Sequence, residues 1–314
     1  MIRYILKRLA MLIPVIIGVS LLIFVAMDLA PGNDLDMMYG DLLTVEEMAE
    51  LYHEYGYDRS VFYRYGMYML DFVRGDLGYS SHMKAPVLQV YFQRLPATAF
   101  LAIASIIVAH LISIPLGIFS AKRAGTLADN GSMVLALLGL SIPNFWLGLM
   151  LIIAFSLHLK MFPSGGVNGL KSVVLPAITI GTGYTAILTR TTRSSMIDVI
   201  RQDYLRTARS KGVPEKQVIN KHALKNALIP IITVSGAQMG SVLGGAALTE
   251  TVFSWPGVGR LIVDAVSYRD VKLATGALIM TTILSSIILL IVDILYAYID
   301  PRLKAQYAGG RKKK

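Results

Sequence analysis

The segment from Gly165 to Ser172 is rich in glycine, and its residue types come close to those of a phosphate-binding loop. Such a loop needs the spacing G-x-x-x-x-G-K-[ST], because its backbone N–H groups surround the phosphates while the lysine reaches them. The second glycine of that pattern would fall at position 170, which is Leu170. The sequence therefore predicts no ATP site in this chain.

The sequence also gives little indication of a metal site that uses histidine. His53-Glu54 begins like a zinc-protease motif, but position 57, where the second histidine should stand, is Tyr57. His110 is alone in an apolar segment, where packing is the ordinary role. The chain has no cysteine, which excludes disulfides and thiolate metal sites. We predict no catalytic residue, no metal site and no enzymatic activity.

Ion-driven carriers usually keep ionisable groups in the middle of the membrane. In this chain Asp28 stands near the outer end of the first apolar segment and Asp293 near the inner end of the last. No acidic pair lies at depth, which disfavours a proton- or sodium-driven carrier. Asp293 keeps that alternative open.

The composition is that of an integral membrane protein. Of 314 residues, 54% are hydrophobic and only 16% are charged, and the mean hydropathy is +0.58. Crossing the hydrocarbon takes about 20 apolar residues in a helix. We predict six spans in an all-α polytopic protein, at about residues 9–30, 98–121, 131–157, 172–189, 228–248 and 274–299. The first is too long for the core of a cleaved signal peptide, so we expect it to be retained.

The distribution of charge predicts the orientation. The N-terminal segment, the loop after the second span, loop 190–227 and the tail at 311–314 are basic, and all four fall on one side of the six-span topology. Loop 31–97 falls on the other side and holds ten Asp and Glu against five Lys and Arg. Because positive loops stay inside, we predict cytoplasmic termini. The net charge of +10 is thus mostly topological and does not indicate a nucleic-acid partner.

Loop 31–97 is long enough to contain small helices. Thr44 and Glu47 have the spacing of a capping box that opens a helix, and an amphipathic helix is predicted at about Val61–Val73. This loop is either a packed cap over the outer mouth or a surface that receives a delivered substrate. We divide the chain into residues 1–30, this loop, and a core domain at 98–314.

A polar hairpin interrupts the apolar sequence between the fourth and fifth spans. Helix formers run from about Arg193 to Lys211, and Gly212 supplies the left-handed position that ends a helix. Pro214 and Glu215 suit the first turn of a second helix, which we expect to end at about Ala227. A modest apolar stripe is predicted at Leu205, Ala208, Val213, Val218 and Ala223. The alternative is an amphipathic helix lying on lipid.

The fifth span has glycines every four residues, at Gly236, Gly240 and Gly244. Such a face permits close helix approach, either within the chain or as a seam against a partner chain. For groups that face a translocation pathway, we predict Asn144, Gln238 and Ser241.

The hairpin sequence, Tyr204-Leu205-Arg206-Thr207-Ala208-Arg209-Ser210-Lys211-Gly212, resembles the "EAA" loop of ABC importer permeases. It is similar in particular to the B-type subunit of the dipeptide/oligopeptide/nickel branch. The resemblance extends in order over nearly the whole chain, through Arg74–Ser80, Arg94–Thr98, Ser141–Trp146 and Glu250–Gly259. Arg206 stands where the general motif has its glutamate and Lys225 where it has proline, so a contact specific to glutamate is not implied.

The resemblance implies a type I ABC importer permease with a cytoplasmic coupling helix between the fourth and fifth spans. The residues that it implies for coupling to the ATPase are Tyr204, Arg206, Thr207, Ala208, Arg209, Lys211 and Gly212. The implied partners are a second permease subunit, two ATPase subunits that bind ATP and Mg, an extracytoplasmic substrate-binding protein and the lipid bilayer. The implied location is the cytoplasmic (inner) membrane of a bacterium or archaeon.

The implied cargo is a dipeptide or oligopeptide, and nickel chelates and oligosaccharides are alternatives within the same branch. A self-contained secondary carrier or channel is the rival function, because it would need no ATPase. A membrane scaffold without transport is disfavoured by the helix-breaking residues and polar groups at depth.

Overall fold

The computed structural model describes residues 2–40 and 42–299. The basic tail at 311–314 lies outside the described residues. The long helices are α1 (Ile2–Leu29), α5 (Val87–Lys122), α6 (Leu127–Ser141), α8 (Val174–Ile200), α11 (Leu224–Gly245) and α14 (Val271–Ile299). The shorter helices are α2 (Asp34–Tyr39), α3 (Val45–Tyr55), α4 (Val61–Val73), α7 (Asn144–Leu151), α9 (Asp203–Ser210), α10 (Glu215–Gln217), α12 (Ala247–Val252) and α13 (Val258–Ser267).

Two strands, β1 (Tyr79–Ser80) and β2 (Ala85–Pro86), pair antiparallel before α5. A π-helical turn, Ile152–His158, extends α7, and another, Val218–Ala223, joins α10 to α11. A short 3₁₀ turn, Leu170–Val173, leads into α8.

Among the described residues, four helices are long and apolar enough to cross a membrane: Arg8–Leu29, Val87–Lys122, Leu170–Ile200 and Val271–Ile294. The pair Leu127–Ser141 and Asn144–His158 makes a fifth if it counts as one span, although the two helices are bent by 93°. The fifth predicted span is helical as α11 but is not among these, so the count of six stays a prediction.

The predicted third span is broken into two helices, and Pro143 explains the break. A residue before proline is pushed out of the helical region, and Ile142 has φ −82° and ψ 124°. Pro143 then precedes α7 as its N-terminal cap residue. The second predicted span also begins earlier than expected, because α5 starts at Val87 inside the predicted loop 31–97.

The chain forms two compact units. The N-terminal unit contains residues 2–98 and 256–286, and the central unit contains residues 99–255 and 287–299. Residues 256–286 therefore fold with the N-terminal segment, although our division placed them in the core domain.

The N-terminal unit has a core built from both of its chain segments. Leu77, Val87 and Tyr91 are buried with Leu261 and Leu273 in one cluster. The predicted capping box is confirmed, since Glu47 N–H donates to Thr44 Oγ1 and Thr44 N–H donates to Glu47 Oε2 over 2.8 Å. Helix α4 has the predicted bounds, Val61–Val73.

The centre of the central unit is α8, which packs against α6 and α11. Glycines on α8 and on α5 allow these two helices to pack closely. A Cβ on Gly181 would lie 2.8 Å from the Ser105 carbonyl oxygen of α5, and one on Gly117 of α5 would lie 2.5 Å from Thr192 Cβ. Helices α5 and α8 can therefore approach closely only because these residues lack side chains.

Candidate functional site: the polar hairpin

The hairpin, which we define as residues 201–223, begins at a break between α8 and α9. We expected one helix from Arg193 to Lys211, and this prediction is wrong. The α8 helix ends at Ile200, Arg201 follows as its cap residue, and Gln202 is extended with ψ 145°. Asp203 then opens α9, where a negative charge suits the positive end of the helix dipole.

Gly212 ends α9 in the way that the sequence predicts. Its φ is +77°, and its N–H donates to the Arg209 carbonyl oxygen over 2.9 Å. The N–H of Val213 donates to the Ala208 carbonyl oxygen over 3.3 Å, which completes the helix-ending motif that favours glycine at this position. No atom lies within 4 Å of a Cβ built on Gly212. The requirement for glycine is therefore conformational and does not come from a lack of space.

An ion pair joins the two arms of the hairpin. The guanidinium of Arg209 donates to both carboxylate oxygens of Glu215, with both distances 3.0 Å. These hydrogen bonds lower the pKa of Glu215, and the charges of Arg209 and Lys122 lower it further. Pro214 immediately precedes α10 and is its N-terminal cap residue. The conformation of the turn at residues 210–214 is thus fixed by the ion pair between its two arms and by Pro214 at the start of the second arm.

The apolar stripe predicted along the hairpin is confirmed. Leu205, Val218 and Ala223 are fully buried, and Ala208 and Val213 pack against the same cluster. Tyr204 adds a polar tie, because its hydroxyl accepts from Asn226 Nδ2 over 2.8 Å and reaches the His222 carbonyl oxygen at 3.3 Å. The second arm does not end at Ala227 as expected but continues through its π-helical turn into α11.

The predicted coupling residues fall into two groups. Arg206, Thr207, Lys211 and Gly212 are exposed on the outer face of the hairpin. Tyr204, Ala208 and Arg209 contribute to holding the hairpin together. Sequence reasoning missed Glu215 and Asn226 as the partners of Arg209 and Tyr204. The opposite charges of Arg209 and Glu215, six residues apart across a turn, were the available signal.

A second ion pair lies at the base of the hairpin, and nothing in the sequence pointed to it. Arg193 of α8 donates through Nε and Nη2 to Asp129 of α6, over 2.7 and 2.6 Å. The Asp129 carboxylate also accepts from the Ser120 hydroxyl and from the Gly125 N–H. Asp129 is 1% exposed. This cluster ties the last residues of α5, the first turn of α6 and the end of α8 to one another.

The residues predicted to face a pathway lie on two helices, α7 and α11. Asn144 is exposed at the start of α7, and its Oδ1 would lie 3.3 Å from a Cβ on Gly183 of α8. Gln238 is half-buried and Ser241 is exposed on α11. Their role in translocation stays a prediction.

The glycine face of α11 is covered within the chain at two of its three positions. A Cβ on Gly236 would lie 2.6 Å from Val292 Cγ2, and one on Gly240 would lie 3.1 Å from Leu289 Cδ2, both on α14. This contact is the intrachain packing given above as one of the two alternatives. Gly244 is exposed, so a seam with a second permease stays a prediction.

His110 is packed, as its isolation in the sequence indicated. Its Nδ1 lies 2.7 Å from the Ile106 carbonyl oxygen, and its Nε2 lies 2.7 Å from Ser235 Oγ. The imidazole therefore links α5 to α11 inside the central unit.

Comparison with known proteins gives full-length matches. The family described as "Binding-protein-dependent transport system inner membrane component" matches residues 113–305, and its N-terminal counterpart matches residues 1–102. The oligopeptide transport system permease protein AppB of Bacillus subtilis is 40% identical, over 97% of this chain and 100% of that protein. The dipeptide transport system permease protein DppB of Escherichia coli is 36% identical, over 97% of this chain and 99% of that protein.

The glutathione transport system permease protein GsiC of Escherichia coli is also 36% identical, over 97% of this chain and 99% of that protein. Among solved structures, inward-facing conformations of the MetNI methionine ABC transporter match with a TM-score of 0.55. That match has 17% identity and covers 68% of this chain and 97% of the other. At this identity the likeness is one of fold alone.

Proposed function

Because the chain belongs to the family of binding-protein-dependent transport system inner membrane components, we propose that it forms half of the pathway of an ATP-driven importer for dipeptides and oligopeptides. It is a multi-pass inner-membrane permease subunit with the fold of a type I ABC importer permease. Relatives of similar identity are named for the transport of oligopeptides, dipeptides and glutathione. Short peptides are the class that these names share.

The observation that carries the coupling role is the construction of the hairpin. Its two arms are joined by the Arg209–Glu215 ion pair, and its stripe is anchored by the fully buried Leu205. The exposed face offers Arg206, Thr207 and Lys211. A small element that is rigid inside and polar outside can pass a movement of a partner to the helices behind it as a rigid body.

Two ATPase subunits would bind the ATP and Mg and would close beneath the hairpin. A second permease would form the other half of the pathway, and an extracytoplasmic binding protein would deliver substrate near loop 31–97 and residues 249–259. This arrangement requires the hairpin and both termini to be cytoplasmic. The chain itself does no covalent chemistry.

Substitution of Gly212 tests the coupling role. Proline requires φ near −65° and has no N–H, whereas Gly212 has φ +77° and donates to Arg209. In the assembled complex we expect Gly212→Pro to lower peptide uptake and peptide-stimulated ATP hydrolysis at least about tenfold, while membrane insertion is unchanged.

Gly169→Pro is the matched control, because it should leave uptake unchanged. Gly169 is also exposed, has φ +82°, and has no atom within 4 Å of an added Cβ. Uptake at the normal rate in Gly212→Pro would refute the coupling role. Ion-driven uptake by the chain alone in liposomes would favour the secondary carrier instead.

A further inference from the structure

A groove of about 660 Å³ opens on the central unit, where the end of α5 meets the start of α11. Its apolar lining includes Ile114, Ile118, Phe119 and Leu224. Lys122 and Arg123 stand at one end, and both are exposed. One end of the groove is therefore cationic and the rest is largely apolar.

The two parts of the groove are aligned along one helix. Ile114, Ile118 and Lys122 are four residues apart and so share one face of α5. At about 1.5 Å per residue, the cations are about 12 Å along the axis from Ile114. Since α5 is one of the candidate spans and ends at Lys122, a membrane crossed by α5 would place the cations at its surface and the apolar part at the depth of the hydrocarbon.

The cationic end is arranged to receive an anion from the membrane. The Arg123 guanidinium lies 4.0 Å from the centroid of the Phe119 ring, which holds it over the apolar wall. Lys122 lies close enough to Glu215 to contribute to lowering its pKa. Both Glu215 oxygens, however, are already bound by Arg209. Positive charge thus dominates the mouth of the groove.

We propose that this groove binds an anionic phospholipid, with the phosphate at Lys122 and Arg123 and the upper acyl chain along Ile114, Ile118 and Phe119. A soluble acidic partner would satisfy the cations but could not cover apolar residues about 12 Å along a spanning helix. A phospholipid satisfies both, because basic residues at the membrane surface attract anionic headgroups. The site does not depend on which substrate is transported.

Native mass spectrometry of the full-length chain tests this proposal. The chain is purified from nanodiscs of phosphatidylcholine with increasing fractions of phosphatidylglycerol, and the retained lipids are counted. We expect wild type to retain one phosphatidylglycerol in preference to phosphatidylcholine. The variant Lys122→Gln with Arg123→Gln is expected to weaken that retention about tenfold.

Two further variants make the result specific. Arg201→Gln with Lys216→Gln removes the same charge from exposed residues that do not line the groove, and it should retain the lipid. Ile118→Ser keeps every charge but interrupts the apolar wall, and it should weaken retention even if the double charge variant fails to insert.

Three results would overturn the proposal. Absence of a preference in wild type would mean that there is no such site. Equal losses in the two charge variants would mean that only a diffuse basic surface attracts lipid. If a photoreactive side chain at position 119 in the native membrane captured a second protein chain, the occupant would be a protein partner instead of a lipid.

Discussion

At the scale of single residues, the polar side chains of the hairpin differ in function, although the sequence shows them as one basic run. Arg209 is bound within the hairpin by Glu215, and Tyr204 is bound by Asn226. Arg206 and Lys211 are exposed. Arg206 and Lys211 can therefore bind a partner while the contacts of Arg209 and Tyr204 within the chain stay intact. A change at Arg206 therefore tests docking, and a change at Arg209 tests the shape of the docking element.

The Arg209–Glu215 pair makes the stability of the hairpin depend on pH. Because the folded pKa of Glu215 is lowered, the stabilisation is present above the ordinary pKa of about 4.5 and is lost as the pH falls through the lower folded value. Hydrogen exchange of the hairpin amides measures it when wild type and Glu215→Gln are compared at equal pH. Since both side chains are partly exposed, we expect only a two- to fivefold difference at pH 7.

That difference should shrink as the pH falls through the lowered pKa of Glu215, because wild type then also gains a neutral carboxyl group. A difference that stays constant over the whole acid titration would show that the charge of Glu215 is irrelevant. Exchange of α4 amides in the N-terminal unit is the internal control, because Glu215→Gln changes no residue of that unit.

At the scale of elements, the sequence predicted those features that depend only on residues close together in the chain. The Thr44–Glu47 capping box, the bounds of α4 and the left-handed Gly212 all follow from hydrogen bonds and dihedral preferences within a few residues. The break between α8 and α9 was missed, because Arg201 and Gln202 are neither proline nor glycine.

The contacts between elements could not be predicted, because they join residues that are far apart in the sequence. Asp129 and Arg193 are 64 residues apart, and nothing at either position shows that the other will meet it. Gly181 is likewise an ordinary glycine in the sequence, and only the structure shows that α5 lies against it. The predicted coupling residues lie on one hairpin, whereas the predicted pathway residues lie on two helices, α7 and α11.

The Asp129–Arg193 pair should set the stability of the central unit. Asp129 is buried and accepts from Arg193, Ser120 and Gly125. Removing one member leaves the other poorly compensated. In thermal unfolding in detergent, Asp129→Asn and Arg193→Gln should each destabilise the protein, and the double variant should show a coupling energy of about 1–3 kcal/mol.

Asp198→Asn is the control, because that residue is an exposed acid on α8, the helix that carries Arg193. Arg193→Lys keeps the charge without the planar fork and should recover only part of the stability. Additive single effects would show that the two residues act separately.

At the scale of the whole molecule, segments that are far apart along the chain share one hydrophobic core. The two family matches divide the chain between residues 102 and 113. Val258, Leu261 and Leu273 from the second match nevertheless share one core with Leu77 and Val87 from the first. The N-terminal segment is therefore completed by residues that follow the hairpin, and it is not an independent addition.

A glycine on α14 allows this joint core to be tested. A Cβ on Gly276 would lie 2.7 Å from Val87 Cγ1 and 3.2 Å from the Tyr68 hydroxyl. Overpacking of this kind costs about 1–3 kcal/mol, so Gly276→Leu should raise hydrogen exchange at residues 77–91 and 258–277 together. Gly18→Leu on α1 is the matched control, since nothing lies within 4 Å of a Cβ there. If exchange rose only within α14, the two segments would not form one cooperative core, and the N-terminal segment would have to be stable without residues 256–286.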